Sequence, residues 1–324
     1  MLTYIVRRLL YSIVVLIAAS MIVFGFVSVS GDPLGYLKMQ PGISQETIRN
    51  IEQRKHLNDS LPVQYAYWVK DVFTNQFGTT VNGNQKILPD LLRAMGHTIQ
   101  LVFIAEMLAV LVAVGIGVYS ALRQYSAFDY TATTFSFIGL ATPVFWLALM
   151  LQVLVVKVYE TTGHRIFPVT SLSSVNPGTG IHFVIDRMWH LALPIMVLMV
   201  ASIATYSRYM RASMLEVVNS DYVRTARAKG LPEARVTMGH AFRNALIPLV
   251  TLVALNFGAL LGGVVVTETV FGLDGMGLYF INALNLGDPY PVMAWLMVTA
   301  VMVIVFNLIA DVAYGYLDPR VRYD

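Results

Sequence analysis

Cysteine is absent from this sequence, which excludes a disulfide framework and any metal or redox centre built on cysteine ligands. Charged residues are also scarce. They make up 13% of the 324 positions, against about 25% in an average soluble domain. Hydrophobic residues account for 56% of the chain, so an ordinary soluble globular fold is excluded. The basic residues flank apolar runs rather than cover a polar face, which argues against nucleic-acid binding.

The usual sequence signatures of catalysis are missing as well. No lysine follows a glycine, so the chain has no Walker-type phosphate loop, and no H-E-x-x-H zinc motif occurs. Among the histidines only His182 and His190 approach the spacing of metal ligands, and a solvated external loop is the better interpretation of this pair. We therefore predict no catalytic residue, no metal site and no cofactor in this chain, and we do not expect it to be an enzyme.

Apolar runs long enough to cross a bilayer core of about 30 Å recur along the chain. The first follows Arg7-Arg8 and is longer than the roughly 7–15 apolar residues of a signal peptide, so we interpret it as an uncleaved anchor. Cleavage after this run is the alternative. The predicted spans are Leu9–Val29, Thr98–Leu122, Thr133–Tyr159, Met188–Met210, Ala245–Phe271 and Val292–Tyr314.

Three prolines fall in these runs. Pro143 and Pro194 are expected to kink the third and fourth spans without breaking them, since neighbouring helices can satisfy the freed carbonyls. Pro248 is expected to lie at the entrance of the fifth span. Two acids, Glu268 and Asp311, are expected to be interfacial because they lie near span ends.

The spans divide the chain into four predicted parts. Residues 1–30 form the amino-terminal span, and 31–96 form a small external subdomain with helices predicted at Ser44–His56 and Pro62–Phe73. A core with five spans occupies 97–315 and contains a cytoplasmic loop at 211–244. A cytoplasmic tail follows at 316–324.

The positive-inside rule fixes the predicted orientation. With the amino terminus in the cytoplasm, most arginines outside the long 31–96 segment are cytoplasmic, whereas the short outside loops hold only Lys157, Arg165 and Arg187. Both termini are therefore predicted to be cytoplasmic. The polar, basic segment Asn219–Pro248 then also lies in the cytoplasm.

This segment has the signals of a short helix. Ser220 is a suitable N-cap, and Asp221 places a negative charge at the positive end of the helix dipole. Gly230 suits the left-handed position just after the helix. Because Ala226 and Gly230 fall on one face, the helix could lie flat in a groove of another protein. An ordinary basic loop is the alternative.

Glu106 is the one acid well inside an apolar span, and such a residue usually faces protein or a water-filled path. We consider it a candidate for the pore, together with Asn256 and Phe257, which lie in the middle of the fifth span. A hydrogen-bonded residue in helix packing is the favoured alternative for Glu106.

The run DYVRTARAKGL at Asp221–Leu231 resembles the coupling loop of ABC-importer permeases, and the closest subfamily is that of the dipeptide and oligopeptide permeases. In that family a small-residue triplet followed by glycine inserts into a cleft on a cytoplasmic ATPase. Arg224-Thr225-Ala226 stands at the triplet and Gly230 at the glycine, although the glutamate of the general pattern is missing. The resemblance implies ATPase contacts by Asp221, Tyr222, Arg224, Thr225, Ala226, Ala228, Lys229, Gly230 and Leu231.

The resemblance extends along most of the chain. It includes GDPL from Gly31, LPVQYAYWVKDVF from Leu61, HLALP from His190, ETVFGLDGMG from Glu268, and DPRVR from Asp318. In the external turn after the fifth span the family has a proline where this chain has Asp274, so that turn is expected to be less rigid.

The resemblance implies an all-α integral membrane protein of six spans, with the type I ABC importer permease fold and a small external subdomain. It implies alternating access in a bacterial cytoplasmic membrane. The implied partners are a second homologous permease, two ATPase domains that carry ATP and Mg, an external solute-binding protein, a peptide substrate and lipid. An ion-coupled secondary transporter or channel subunit is the alternative function.

Overall fold

The computed structural model describes residues 2–29, 31–81 and 84–317, and throughout these ranges the regular structure is helical. From residue 318 onwards the predicted tail lies outside the described residues. The first helices are α1 (Leu2–Val29), α2 (Gly35–Met39), α3 (Gln45–Arg54), α4 (Leu61–Thr74), α5 (Ile87–Leu122), α6 (Ala127–Ala141) and α7 (Val144–Thr162). They are followed by α8 (Ile181–Val218), α9 (Asp221–Ala228), α10 (Glu233–Arg235), α11 (Phe242–Gly263), α12 (Val265–Phe271), α13 (Met276–Asn285) and α14 (Pro289–Leu317).

Six segments in the described part of the chain are long and apolar enough to cross a membrane, as predicted. They are Ile5–Val29, Ile87–Leu122, Val144–Thr162, Ile181–Val218, Glu233–Leu260 and Pro289–Val312. The helices that contain the second and fourth spans are longer than predicted, because each continues into polar sequence at one or both ends.

The third span is not one kinked helix, so that prediction was wrong. Helix α6 ends at Ala141 and α7 begins at Val144, with Pro143 between them. Thr142 is extended because a residue before proline avoids the helical region, and Pro143 has no amide proton to continue the ladder. By contrast Pro194 is accommodated inside α8, as predicted.

The fifth span also differs from its prediction. A π-helical turn at Val236–Ala241 runs directly into α11, so Pro248 lies inside that helix and not at its entrance. The apolar run ends in two helices, α11 and α12, and not in one.

The described residues form two compact units. The first lies within Met1–Ile99, Leu261–Thr269 and Leu273–Ile304. Both helices predicted in the polar segment are present here, and the hydroxyl of Ser44 accepts the amide of Thr47 at 3.1 Å as an N-cap. Trp68 of α4 packs with Phe24 of α1. The core around α2 and α3 is small and is completed by Tyr290 of α14. Its buried members are Leu34, Leu37, Ile48, Ile51 and Val81.

The second unit lies within Gln100–Leu260, Val270–Gly272 and Val305–Asp324. Its core joins α5, α8, α9 and α11 through small and medium apolar side chains. The fully or nearly fully buried members are Ala113, Ala121, Tyr206, Met210, Met214, Val223, Ala226, Val236, Ala241, Ala245 and Leu249. This core holds the short helix α9 in place.

Candidate functional site

Helix α9 has the bounds that its sequence signals predict. Asp221 lies in its first turn, and Gly230 adopts the left-handed conformation with φ of 76°. The capping prediction for Ser220 was half right. Its backbone is extended as an N-cap should be, but its hydroxyl donates to the carbonyl of Val217 at 2.6 Å and caps no amide. The Ser220 hydroxyl is therefore bonded to the last turn of α8 and does not cap α9.

One face of α9 is buried within the chain itself. Val223 has no exposed surface and Ala226 is 7% exposed, and both pack in the core that contains Met210 and Met214 of α8. Ala226 was predicted to lie on a face open to a partner, and this is wrong, because the i, i+3 pair Val223 and Ala226 forms the inward side of an amphipathic helix. That spacing was the signal that the sequence analysis overlooked.

The opposite face of α9 is exposed. At 100° per residue, Asp221, Arg224, Thr225 and Ala228 lie away from the buried pair, and each is exposed. We call these four residues the free face. Arg224 and Asp221 form an ion pair of 3.7 Å there, but both side chains are well exposed, so it adds little stability.

The remaining predicted coupling residues lie at the ends of the helix. Lys229 and Gly230 are exposed beyond its last turn, and Tyr222 is 46% exposed on its flank. Leu231 is partly buried against the core of the second unit and anchors the chain after the helix. Of the nine predicted residues, Ala226 and Leu231 therefore face the protein interior.

An ion pair that the sequence analysis missed connects α9 to α10. The guanidinium of Arg227 donates to the carboxylate of Glu233, with Nη2 to Oε1 at 2.8 Å and Nε to both oxygens at 3.2 Å. Because Gly230 and Pro232 interrupt the helix between Arg227 and Glu233, the two residues do not have the i, i+4 spacing that predicts an ion pair on one helix. The pair spans the turn between α9 and α10 at the surface.

Glu106 lies within the second unit, 1% exposed, and accepts two hydrogen bonds from α8. They come from the hydroxyls of Ser202 at 2.5 Å and Tyr206 at 2.6 Å. Asn256 of α11 donates to the same Tyr206 oxygen at 3.3 Å. This arrangement favours the helix-packing interpretation of Glu106. Ser202 and Tyr206 were missed, although two polar residues four apart in an apolar span were a visible signal.

Phe257 is buried between two aromatic rings of the same unit. Its ring centroid lies 4.7 Å from that of Phe306 and 6.3 Å from that of Phe103. Phe103 is 52% exposed, so this cluster reaches the surface of the chain. A role in the translocation path stays a prediction for Phe257, as it does for Glu106 and Asn256.

In the first unit Glu268 is 1% exposed and not interfacial, which corrects the sequence prediction. Its carboxylate accepts the Thr98 hydroxyl and the Gly277 amide, both at 2.6 Å. The ring of His97 makes a further hydrogen bond of 2.7 Å to the carbonyl of Asp274. The turn at Asp274–Gly277 was expected to be less rigid without a proline. It is held instead by the side chains of His97 and Glu268.

No group of three or more His, Asp or Glu side chains in the described ranges is arranged to hold a metal ion. The site is therefore a short helix with one buried face and one exposed face, connected to the end of the long apolar helix α8.

Two family profiles match this sequence. The profile described as the binding-protein-dependent transport system inner membrane component matches residues 113–323, and that of the amino-terminal part of such membrane components matches residues 1–88. The chain belongs to this family. It is thus a multi-pass permease subunit of an ABC importer, which works in a membrane complex with ATPase and binding-protein partners.

Several curated relatives match the permease over its whole length. It is 39% identical to the oligopeptide transport system permease protein AppB of Bacillus subtilis, with all of both chains covered. It is 35% identical to the dipeptide transport system permease protein DppB of Alkalihalophilus pseudofirmus, again over all of both chains. It is 33% identical to DppB of Escherichia coli K12, with 100% of this chain and 99% of that protein covered.

A solved structure supports the fold of the permease. A chain of the MetNI methionine ABC transporter in an inward-facing conformation matches with a TM-score of 0.54. The match covers 71% of this chain and 97% of that chain at 14% identity. At this identity the likeness shows the fold alone, and that fold is the predicted ABC importer permease fold.

Proposed function

We propose that this permease forms half of a translocation pore for short peptides, and that α9 docks it to a cytoplasmic ATPase. The observation that carries the docking proposal is the division of α9 into a buried face, with Val223 and Ala226, and the free face. A helix that packs on the protein with one face and is exposed on the other can bind a partner and transmit the partner's displacement to α8 as a rigid body.

The peptide substrate is proposed from the relatives. AppB and DppB are named for oligopeptide and dipeptide transport, and they align with this permease from end to end. An external solute-binding protein would deliver the peptide and contribute much of the selectivity. The choice between di- and oligopeptides rests on that partner and on pore side chains.

The coupling step is proposed from the chemistry of the free face. Thr225 and Ala228 are small, so the backbone of α9 can approach a groove closely, while Asp221 and Arg224 offer charges at its rim. Closure of the ATPase around ATP would then move α9 as a rigid body. Because Val223 lies in the core with Met214, the end of α8 would move with it.

The proposed assembly contains a second, homologous permease and two ATPase domains, in a bacterial cytoplasmic membrane. Both termini of this chain are proposed to be cytoplasmic, in agreement with its arginine distribution. ATP and Mg would bind to the ATPase partners, and we assign no catalytic residue and no cofactor to this chain.

The alternative of an ion-coupled transporter has weaker support. It would need acids at mid-membrane, and Glu106, the one sequence candidate, is engaged by Ser202 and Tyr206 in helix packing. The family match favours the ATP-driven importer.

ATP hydrolysis by the complex that co-purifies with the tagged permease tests this function. The wild type is compared with Gly230→Arg, which places a long charged side chain at the exposed carboxyl end of α9. No atom lies within 4 Å of a Cβ at this position, so the arginine meets no steric clash within the chain, and its strain comes from the left-handed backbone alone. The control is Gly230→Asn, because asparagine tolerates the left-handed conformation that φ of 76° requires.

We expect ATPase subunits and peptide-stimulated hydrolysis with the wild type and with Gly230→Asn. Gly230→Arg should insert into the membrane normally but lose both the ATPase subunits and peptide uptake. Full uptake by Gly230→Arg would contradict the docking assignment, and absence of hydrolysis from the wild-type complex would contradict the importer function.

A further inference from the structure

A buried ion pair joins three helices of the second unit close to α9. Asp129 is 3% exposed, and the guanidinium of Arg211 donates to both of its oxygens, with Nε to Oδ1 at 2.6 Å and Nη2 to Oδ2 at 2.7 Å. The hydroxyl of Ser120 also donates to Oδ1, and the amide of Tyr125 donates to Oδ2 at 3.0 Å. The carboxylate is therefore surrounded by donors.

These partners come from different elements. Ser120 lies in the last turn of α5, Asp129 in the first turn of α6, and Arg211 in the carboxyl-terminal part of α8. Helices α6 and α8 also approach each other further along, where the hydroxyls of Ser136 and Ser207 lie 3.2 Å apart. The ion pair fixes the end of this helix pair nearest to α9 in the sequence.

The same part of α8 carries the attachment of α9. Met210 and Met214 flank Arg211 in the sequence, and both are fully buried in the core with Val223 and Ala226. A displacement of α9 must therefore move this segment of α8 or open a close-packed core. Any movement of the segment also moves the Arg211 backbone.

Close apolar packing moves neighbouring helices together, but it does not fix which atoms stay opposite each other, because burial of apolar surface is non-directional. A bidentate guanidinium–carboxylate pair is directional and fixes two atoms on each side. Helix α6 must then follow α8 when α8 moves. A pair kept only for stability could be replaced by apolar residues at little or no cost.

We propose that Asp129 and Arg211 are positioning residues for energy coupling, which carry the displacement of α9 through α8 to α6. This inference rests on the proposed function, since it needs α9 to be the element that the ATPase moves. It adds a specific connection between α9 and α6, a helix that contacts neither the ATPase nor the peptide in the proposal.

The test uses the complete transporter, with both permeases, the ATPase subunits and the binding protein, reconstituted in proteoliposomes. Peptide uptake and ATP hydrolysis are measured together, and the number of peptides transported per ATP is compared. The variants are Asp129→Asn and Arg211→Gln, with the double exchange Asp129→Arg plus Arg211→Asp as a rescue. The matched control is Arg93→Gln, which breaks an exposed arginine–aspartate pair with Asp90 inside α5, in the first unit.

We expect both single variants to assemble and to hydrolyse ATP, but to transport about tenfold fewer peptides per ATP, within the range known for residues along a coupling network. The double exchange should recover part of that loss, and Arg93→Gln should match the wild type. A purely structural role predicts something else: uptake and hydrolysis would fall together, in proportion to the amount of assembled complex, and this result would overturn the inference.

A Thr225→Arg variant in the same assay distinguishes a failure of the ion-pair inference from a failure of the docking function proposed for α9. If Thr225→Arg uncouples the transporter or loses its ATPase subunits while Asp129→Asn keeps the wild-type ratio, only the inference about the ion pair fails. If Thr225→Arg itself keeps the wild-type ratio, the docking function proposed for α9 fails, and the inference fails with it.

Discussion

Val223 of α9 and Met214 of α8 are both completely buried in one apolar core. A helix of eight residues would be marginal in isolation, since short helices in water are held mainly by tertiary packing. This contact therefore explains why α9 is ordered before any partner binds. It also turns the helix so that Asp221, Arg224, Thr225 and Ala228 face outward.

Two alanines on opposite faces of α9 should respond differently to the same change. Ala226→Leu adds three carbon atoms in a closed core, so it should lower stability by about 1–3 kcal/mol and reduce the yield of folded protein. Ala228→Leu is on the free face and should leave stability within about 0.5 kcal/mol of the wild type.

The measurement for this pair is the thermal unfolding midpoint in detergent, followed by ATPase binding to the protein that survives. Ala228→Leu should fold like the wild type and bind the ATPase more weakly. Equal midpoints for the two variants would show that the faces of α9 have been assigned incorrectly.

The charge of Asp129 gives a prediction about pH. Its hydrogen bonds with Arg211 hold the pKa of the Asp129 carboxyl well below its usual range. A carboxyl whose folded pKa is depressed contributes stability that is fully present above its unfolded pKa of about 4 and is lost as the pH falls through the folded pKa. The ion pair should therefore be intact throughout the physiological range.

Accordingly, the stability difference between the wild type and Asp129→Asn should stay constant from pH 8 to pH 5 and shrink below about pH 4. We expect a difference on the order of 2 kcal/mol, less than for a fully buried pair because the Arg211 side chain is 26% exposed. Unfolding midpoints in a pH series measure it, and a difference that varies between pH 6 and pH 8 would be inconsistent with a permanently ionised Asp129.

Two glycines of α5 predict a contrast in helix packing. A Cβ at Gly117 would lie 2.7 Å from the Ser207 carbonyl and 2.6 Å from the Met210 Cβ, so Gly117→Ala should force α5 and α8 apart and cost about 1–3 kcal/mol. Gly115 has no atom within 4 Å of the added carbon, and Gly115→Ala should be neutral or stabilise by up to about 1 kcal/mol.

Thermal inactivation of the two variants in detergent distinguishes these outcomes. Since both replace glycine by alanine in the same helix, the change in helix propensity is common to them. Similar midpoints would mean that α5 and α8 are further apart than the structure indicates.

Glu268 should control the order of the turn that follows α12. Glu268→Ala removes the acceptor of the Gly277 amide and of the Thr98 hydroxyl. The hydroxyl can still donate to the Ala94 carbonyl at 3.3 Å, whereas the loss of the amide's acceptor costs about 1–3 kcal/mol. Hydrogen exchange of the Gly277 amide should accelerate markedly. The control Glu160→Ala removes an exposed acid at the end of α7 and should leave that amide protected; unchanged exchange in Glu268→Ala would count against the capping role.

Much of this architecture follows from local sequence. Six apolar runs predict six spans because the length of a run against the bilayer thickness is a strong signal, and Ser44 and Gly230 mark helix ends through their own backbone preferences. Thr142-Pro143 was the exception. Whether a proline kinks or breaks a helix depends on the neighbours that satisfy the freed groups, and these are not adjacent in sequence.

The candidate site was predictable in position but not in orientation. The motif places α9 correctly, yet the side that faces inward depends on Met210 and Met214, which precede it in another helix. Likewise Arg211, the ion-pair partner of Asp129, lies far from it in the sequence, and no local periodicity connects the two residues. Contacts of this kind depend on tertiary packing.

The absence of cysteine allows the central claim to be tested directly, because a single introduced thiol is unique in this chain. Thr225→Cys places it on the free face, and Gln124→Cys places a control thiol in the exposed connection between α5 and α6. Each is labelled with a polar maleimide in the permease complex with and without its ATPase subunits. If α9 docks the ATPase, labelling of Thr225→Cys falls sharply on assembly while that of Gln124→Cys changes little; if Thr225→Cys is labelled equally in both states, the free face of α9 is not the docking surface.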